Sequence, residues 1–404
     1  MHTDMSVSPA STDVSVPDFE NTATAYRAKT RLDLRRARLL YQSLTQPTFA
    51  SLGNKLLKWA VAHRMPVNPL IRATLFKQFV GGESIEQCRP VVRSLGRSGV
   101  YTTLDYSVEG GASEARIRST MEEVRRNVDF AAEEGYVPFS VFKPTAITDT
   151  GLLKKVSAGE KLSAAEYTAY GRLEERFHTI FGHAAEKGVR VFIDAEESWL
   201  QKAIDDLALT MMRHYNTTQP IVWNTYQFYR HDRLALIQDH VRKAEAEGFM
   251  VGGKLVRGAY LEKERDMARR HGYPDPTQPD KDATDRDYDA ALEFCLDHLE
   301  HTAFICASHN EASNRCLVEG IERRSLPRDH AHIWFGQLYG MCDHLTFNLA
   351  DAGFNASKYV PYGRIDSVIP YLLRRADENA SVNGQAGREL ELIARELKRR
   401  AREA

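Results

Sequence analysis

The chain has 404 residues, 43% of them hydrophobic and 27% charged, with a formal net charge of -1 at pH 7. That is an ordinary globular composition, long enough for the core of one large domain or two average ones. It offers no global field to draw in nucleic acid, and no apolar run approaches the length of a membrane-spanning helix.

The first 26 residues carry no Arg or Lys but do carry Asp4, Asp13, Asp18 and Glu20. Neither a secretory signal nor an Arg-rich presequence is legible there, so residues 1–20 are expected to be a flexible polar leader and the protein cytoplasmic. Residues 21–99 read as a helical extension, with amphipathic stretches at Arg31–Ser43, Leu52–His63 and Ser84–Leu95. From residue 100 to 384 short apolar segments alternate with longer amphipathic ones. The strand candidates are Val100–Asp105, Val137–Phe142, Val189–Ile193, Pro220–Thr225, Met250–Val256, Ala303–Ala307, His332–Phe335 and Tyr359–Pro361. Helical candidates lie between them at Arg116–Glu134, Ala164–Lys187, Glu197–Tyr215, Arg230–Glu247 and Ala283–His301, and a last one spans Asp366–Asn379. Gly135, Gly188, Gly248 and Gly353 each stand between a helix and the next strand, where a left-handed cap is expected. Strict alternation implies a parallel sheet, and eight units fit an α/β fold of the (β/α)8 barrel type with its last helix over the active site. A doubly wound open sheet is the alternative, but Leu104–Gly111 lacks its GxGxxG fingerprint.

Barrel chemistry collects at the C-terminal ends of the strands. Read in order, those ends offer Lys143, Asp194, Gln227, Lys254 with Arg257-Gly-Ala-Tyr260, Ser308-His-Asn310, Gln337-Leu338 and Tyr359. The last helix adds Tyr371, Arg374, Arg375 and Glu378 at i, i+3, i+4 and i+7, which share one helix face. An apolar docking stripe normally occupies that spacing. Paired guanidiniums suit a planar carboxylate, and with Lys143, Asp194 and Glu378 the inventory suits a zwitterionic amino acid. Each residue alone reads equally well as a rim charge, and the helix face as a solvated ion-pair ladder; their convergence on one barrel face favours a site.

Other chemistries fit less well. The one HxH, His330-Ala-His332, precedes a strand and so falls on the rim opposite to where barrel metal sites lie. Ser308 and His309 are consecutive and point apart. A Schiff base on Lys143 or Lys254 stays open as the rival reading. The five cysteines, Cys88, Cys295, Cys306, Cys316 and Cys342, are odd in number and form no CxxC pair, which fits free thiols in a reducing compartment. In the tail, 385–404, Leu390, Ile393 and Leu397 recur at helical spacing beside Arg395, Lys398, Arg399, Arg400 and Arg402. This reads as a solvated basic helix or, more sharply, as a contact with anionic membrane.

These residues, in this order, resemble the proline dehydrogenase family of FAD-dependent barrels. The resemblance runs from Val100 to Gly384 and rests on five blocks: Lys254-Leu-Val-Arg-Gly-Ala-Tyr-Leu261, Ala307-Ser-His-Asn310, Phe335-Gly-Gln-Leu-Tyr-Gly-Met-Cys342, Tyr359-Val-Pro-Tyr-Gly363 and Tyr371-Leu-Leu-Arg-Arg-Ala-Asp-Glu-Asn379. The wording is nearest to the branch containing the eukaryotic mitochondrial enzymes. The resemblance implies oxidation of L-proline to Δ1-pyrroline-5-carboxylate by hydride transfer to the N5 of a non-covalent FAD, with a membrane quinone as electron acceptor. It implies a carboxylate clamp of Arg374 and Arg375 supported by Lys143, with Asp194 and Lys254 as catalytic residues. Tyr359, Tyr371 and Leu338 would close over the ring, and Glu378 would orient the arginines or touch the substrate. FAD contacts would come from Ala195, Gln227, Lys254, Val256, Arg257, Gly258, Ala259, Tyr260, Ser308, His309 and Asn310.

Lys254 and Leu261 stand where the bifunctional relatives have Arg and Trp, so the surroundings of the flavin are expected to differ. With little sequence beyond the Arg-Arg helix, a monofunctional enzyme is expected. Tyr371 leans toward proline, since hydroxyproline oxidases of the family tend to carry a smaller residue there.

Overall fold

The computed structural model describes residues 16–44, 71–107, 113–380 and 385–403. The helix expected at Leu52–His63 lies outside these residues, as does most of the leader, and the side chain of Glu378 is likewise not described. Eight parallel strands form one closed barrel in sequence order. They are β1 (Tyr101–Tyr106), β2 (Phe139–Phe142), β3 (Arg190–Ile193), β4 (Val222–Gln227), β5 (Val251–Val256), β6 (Thr302–Ala307), β7 (Ile333–Leu338) and β8 (Ala356–Tyr362). Closure runs along β1 and β8, from Tyr101 opposite Ser357 to Tyr106 opposite Tyr362. Each expected strand corresponds to an observed one, and the largest displacements are in β7, which ends at Leu338 rather than Phe335, and β8, which starts at Ala356 rather than Tyr359.

The lower half of the barrel interior is an aromatic plug. Phe139, Val141, Phe192, Trp223, Ala303, Ile305 and Trp334 form one buried cluster. Phe139 stacks on Phe192 at 4.4 Å between centroids and meets the edges of Trp223 and Trp334 at 5.1 and 5.0 Å. The buried indoles keep their N–H groups satisfied, Trp223 on Pro220 O at 2.6 Å and Trp334 on Ala331 O at 2.9 Å, as burial of a polar donor requires. This layer fills the barrel and leaves polar chemistry to the other end.

The helices pack outside. Ala164–Lys187 starts on a Ser163/Glu166 capping box and stops at Gly188 in the left-handed region. Gly248 and Gly353 also have positive φ, as expected of C-caps. Gly135 does not. The helix before it ends at Glu134 in an extended conformation, where the buried carboxylate is held by Arg89 and, at 3.0 Å, by Arg93. That pinning redirects the chain without a left-handed residue. Among the described residues, the barrel helices Thr150–Ser157, Leu261–His271 and Glu311–Arg323 fall outside the expected helical stretches, and the helix that Gly353 was expected to cap is Asp343–Asp351.

The terminal segments form a layer of their own. Helix Arg31–Leu44 packs against helix Gln385–Arg402, burying Tyr26, Leu34, Tyr41, Leu392 and Ile393 together, with Leu390 and Leu397 partly buried against them. Tyr41 fastens this layer to the barrel by donating to Gly340 O at 2.6 Å. The tail is therefore neither a solvated helix nor one with an apolar face turned to lipid: that face is buried inside the chain. Much of its basic side is also engaged, Arg388 and Arg395 with Glu20, and Arg400 with Glu396 and the carbonyl of Tyr26. Lys398 and Arg402 stay exposed.

Candidate active site

A cavity of about 720 Å³ opens at the C-terminal ends of the strands. Its floor is the top of the aromatic plug, at Phe192 and Ile305. Above it sits an ion cluster. Asp194, just past β3 and 7% exposed, accepts from Lys143 Nζ at 2.6 Å, from Lys254 Nζ, and from Tyr359 Oη at 3.2 Å. The three donors come from the end of β2, from β5 and from β8, so the barrel assembles them from distant parts of the sequence. Lys254 also lies 5.2 Å from the ring centroids of both Phe192 and Tyr359, a cation–π setting. Burial alone would raise the Asp194 carboxyl, but Lys143 and Lys254 outweigh it and hold the group well below the usual carboxylate range. Burial likewise opposes the Lys143 charge, and Asp194 and then Asp105 more than compensate, lifting its pKa well above the ordinary lysine value.

A second wall follows β4, β5 and β6. Gln227 donates to Glu196 O at 2.8 Å and accepts from Ala259 N at 3.4 Å, which ties the end of β4 to the Arg257–Tyr260 turn. In that turn Gly258 has φ +114°, and a Cβ there would fall 1.9 Å from the Tyr229 ring. Only glycine fits, and it leaves bare backbone on the cavity rim. Arg257 forks onto Asp285 at 2.6 Å, Ser308 Oγ at 2.8 Å and Ser313 Oγ at 2.9 Å. His309 Nε2 accepts from Leu338 N at 3.0 Å. Burial, with Lys358 and Arg375 nearby, pushes its pKa down to about 3, so the imidazole is neutral and acts as an acceptor. Ser308 and His309 thus face different partners and form no nucleophilic couple. Asn310 lines the cavity, yet its side-chain oxygen caps helix Glu311–Arg323 by accepting from Ala312 N and Ser313 N.

Of the residues nominated from sequence, Lys143, Asp194, Ala195, Gln227, Lys254, Val256, Arg257, Gly258, Ala259, Tyr260, Ser308, His309, Asn310, Leu338, Tyr359 and Arg375 all line this one cavity. The Arg-Arg pair divides. Arg375 lines the cavity, with its guanidinium carbon 5.3 Å from the Tyr371 ring centroid, whereas Arg374 is exposed and outside the lining. Neighbours on a helix point about 100° apart, so one packing geometry cannot bury both. Tyr371 is buried in a cluster with Met341, Val368 and Leu372, against which Leu338 packs.

Several participants were missed. Asp105 and Glu196 are buried carboxyls whose pKa values burial raises. Glu196 accepts from Thr145 at 2.5 Å and Tyr260 at 3.2 Å. Asp105 ends the expected first strand and is the penultimate residue of β1, so the strand-end rule that found the others pointed to it too. Lys281 and Arg388 reach the cavity from helices, and no local sequence signal marks them. Among the described residues no cluster of His, Cys, Asp and Glu is arranged to hold a metal ion, and all five cysteines are free.

Comparison with known proteins agrees with this fold. The family described as proline dehydrogenase matches residues 88–388. A hydroxyproline dehydrogenase of Xenopus laevis is 32% identical, over 93% of this chain and 88% of its own length. The mitochondrial proline dehydrogenase 1 of Homo sapiens is 43% identical over 57% of this chain and 39% of its own length. Among solved structures, proline utilization A from Bdellovibrio bacteriovorus, inactivated by N-propargylglycine, superposes with a TM-score of 0.72 at 20% identity. The match covers 92% of this chain but only 40% of that one. The fold and cavity are those of a (β/α)8 barrel enzyme with its site at the strand C-termini. The chain belongs to the proline dehydrogenase family.

Proposed function

We propose that this enzyme oxidises L-proline to Δ1-pyrroline-5-carboxylate using non-covalent FAD, with the electrons passing to a membrane quinone. One observation carries the reading: Lys143, Asp194, Lys254, Tyr359 and Arg375 converge on a single cavity, a charge set matched to a small zwitterion, beside a polar wall that leaves room for a larger group.

That room fits a flavin nucleotide. The volume lies in the range of cofactor-sized pockets, and the turn at Gly258 allows close approach to backbone. Ala195, Gln227, Lys254, Val256, Arg257, Gly258, Ala259, Tyr260, Ser308, His309 and Asn310 would hold it. FAD, when bound, supplies the two-electron acceptor for a hydride leaving the ring carbon beside the proline nitrogen.

The protein's own contribution is orientation and charge. Arg375 from the wall and Arg374 from the exposed face beside it are proposed to clamp the substrate carboxylate, with Lys143 assisting. Asp194 is the shared counterion of both buried lysines, and Tyr359, Tyr371 and Leu338 enclose the ring and exclude water. The lysine Schiff-base alternative requires a neutral amine, whereas Lys143 is held charged well above its ordinary range and Lys254 is paired to the same carboxylate. Contact with an anionic membrane would fall to the exposed basic residues Lys398 and Arg402, because the apolar face of the tail is internal.

4-Hydroxyproline is the second substrate to weigh, because hydroxyproline dehydrogenases match over 93% of the chain. Steady-state assays that trap the imine product decide between them. We expect kcat/KM for L-proline to exceed that for trans-4-hydroxy-L-proline by at least roughly tenfold, about 1.4 kcal/mol in transition-state binding. The reverse order would reassign the substrate.

A further inference from the structure

The ion cluster contains two carboxylates, and they are used differently. Asp194 is saturated: one oxygen takes Lys254, and the other takes Lys143 and Tyr359. Asp105 is 3% exposed. Its Oδ2 accepts from the Ser107 hydroxyl, while its Oδ1 is buried and has no hydrogen-bond partner among the described residues. A buried carboxylate oxygen left unsatisfied is costly, and such atoms call for an explanation.

The barrel register shows what that oxygen is near. Asp105 lies opposite Val141 on β2 and Pro361 on β8. Thr103, two residues earlier, bonds to Ser357 at 3.1 Å and lines the cavity, so Asp105 shares its inward face one layer closer to the mouth. Lys143 stands two residues beyond Val141 on the same inward side. The groups that act on Asp105 are Ser107 just past its own strand, Lys143 after β2, Asp194 after β3, Lys254 on β5, and Tyr359 and Tyr362 on β8. Of these only the two lysines are cationic, and Lys254 is committed to the far oxygen of Asp194.

We propose that Asp105 is a positioning residue for the substrate carboxylate: its open oxygen is a second anchor for Lys143, which lets that ammonium swing from Asp194 toward the bound anion without losing its counter-charge. This rests on the reading of the cavity as an amino-acid site. An ammonium tied to Asp194 alone would lose a buried ion pair on turning to the substrate, and breaking such a pair is expensive. With Asp105 behind it, Lys143 moves between two carboxylates and stays neutralised throughout.

The pH dependence has a definite sign. Burial, reinforced by Asp194 and only partly offset by Lys143, raises the Asp105 carboxyl above its usual value. As pH falls through that raised value Asp105 gains a proton, the second anchor is lost and the KM for proline rises on the acid side. The Ser107 hydrogen bond opposes the shift, so its removal moves the acid limb to higher pH.

The test uses full-length, flavin-loaded protein and three measurements: proline KM and kcat across pH, calorimetric affinity for the ring-oxygen analogue of proline, and flavin content. Asp105→Asn is expected to raise KM and the analogue's dissociation constant about fivefold to twentyfold, the range of one charge-assisted contact. Flavin content and kcat should change by less than about twofold, and the acid limb of KM should flatten. Unchanged KM, analogue affinity and pH profile would overturn the proposal. Should Asp105→Asn not fold, Ser107→Ala decides it: a shift of the acid limb to higher pH supports the role and an unmoved limb refutes it. Failure of wild-type protein to oxidise proline would instead count against the substrate reading, a result distinguishable from either variant outcome.

Discussion

The two halves of the barrel interior are built from the same eight strands and obey opposite rules. Toward the strand N-termini, Phe139, Phe192, Trp223 and Trp334 interlock with their polar atoms satisfied locally. Toward the C-termini, Lys143, Lys254, Asp194, Asp105 and Tyr359 crowd together, and the buried charges are balanced by one another and by Glu196. The first arrangement stores stability through area and packing. The second spends it, since each buried ion forfeits hydration that its partners only partly return. A few ångströms of strand separate a region whose sequence is constrained by volume from one constrained by charge.

Substitutions should separate the two halves. Asp194→Ala has the largest expected effect, because it leaves two buried ammoniums without their shared counterion. We expect a loss of about 3–5 kcal/mol in stability together with a fall in kcat/KM of about a hundredfold or more, read by denaturant unfolding and proline turnover. Trp223→Ala should cost a similar ~3–5 kcal/mol through the void it opens, yet leave the KM for proline of the folded fraction unchanged. Equal damage to KM from both would erase the distinction. The halves also differ in acid. Asp194 is held well below the usual carboxylate range, so the stability it adds is intact above about pH 4, the unfolded value, and is lost as pH falls further toward its folded pKa; the plug contributes no such dependence.

A smaller effect sharpens the picture at the mouth. Arg375→Met should raise the KM for proline by roughly tenfold or more, the value of one lost charge-assisted contact. Arg374→Met should do less, because Arg374 is exposed while Arg375 lines the cavity. A larger effect at Arg374 than at Arg375 would mean that the helix reorients when substrate binds.

What could be read from the sequence follows the same division. The strands were legible because buried parallel strands are short apolar runs punctuated by capping glycines, and a strand fixes its own C-terminal residue as a candidate. That is how Lys143, Asp194, Gln227, Lys254 and Tyr359 were found. The same rule reached Asp105, the last residue of the first expected strand, although it was not nominated. Helix phase was harder: the i, i+3, i+4, i+7 pattern put Arg374 and Arg375 on one face, but packing against Leu338 and Met341 turns one inward and the other out. Contributions from helix surfaces, such as Lys281 and Arg388, depend on tertiary docking and leave no local trace. The tail misled for a related reason. Amphipathicity records that a helix has an apolar side, not what covers it, and here the cover is helix Arg31–Leu44.

The central claim is that the charged half of the barrel binds L-proline and delivers its electrons to a bound flavin. The most direct measurement is the visible absorbance of the purified protein under anaerobic conditions before and after L-proline is added. The account predicts a yellow protein whose flavin band bleaches with proline and bleaches far more slowly in Asp194→Ala. A flavin band that persists with saturating proline, or a preparation that takes up no flavin when FAD is supplied, would contradict it.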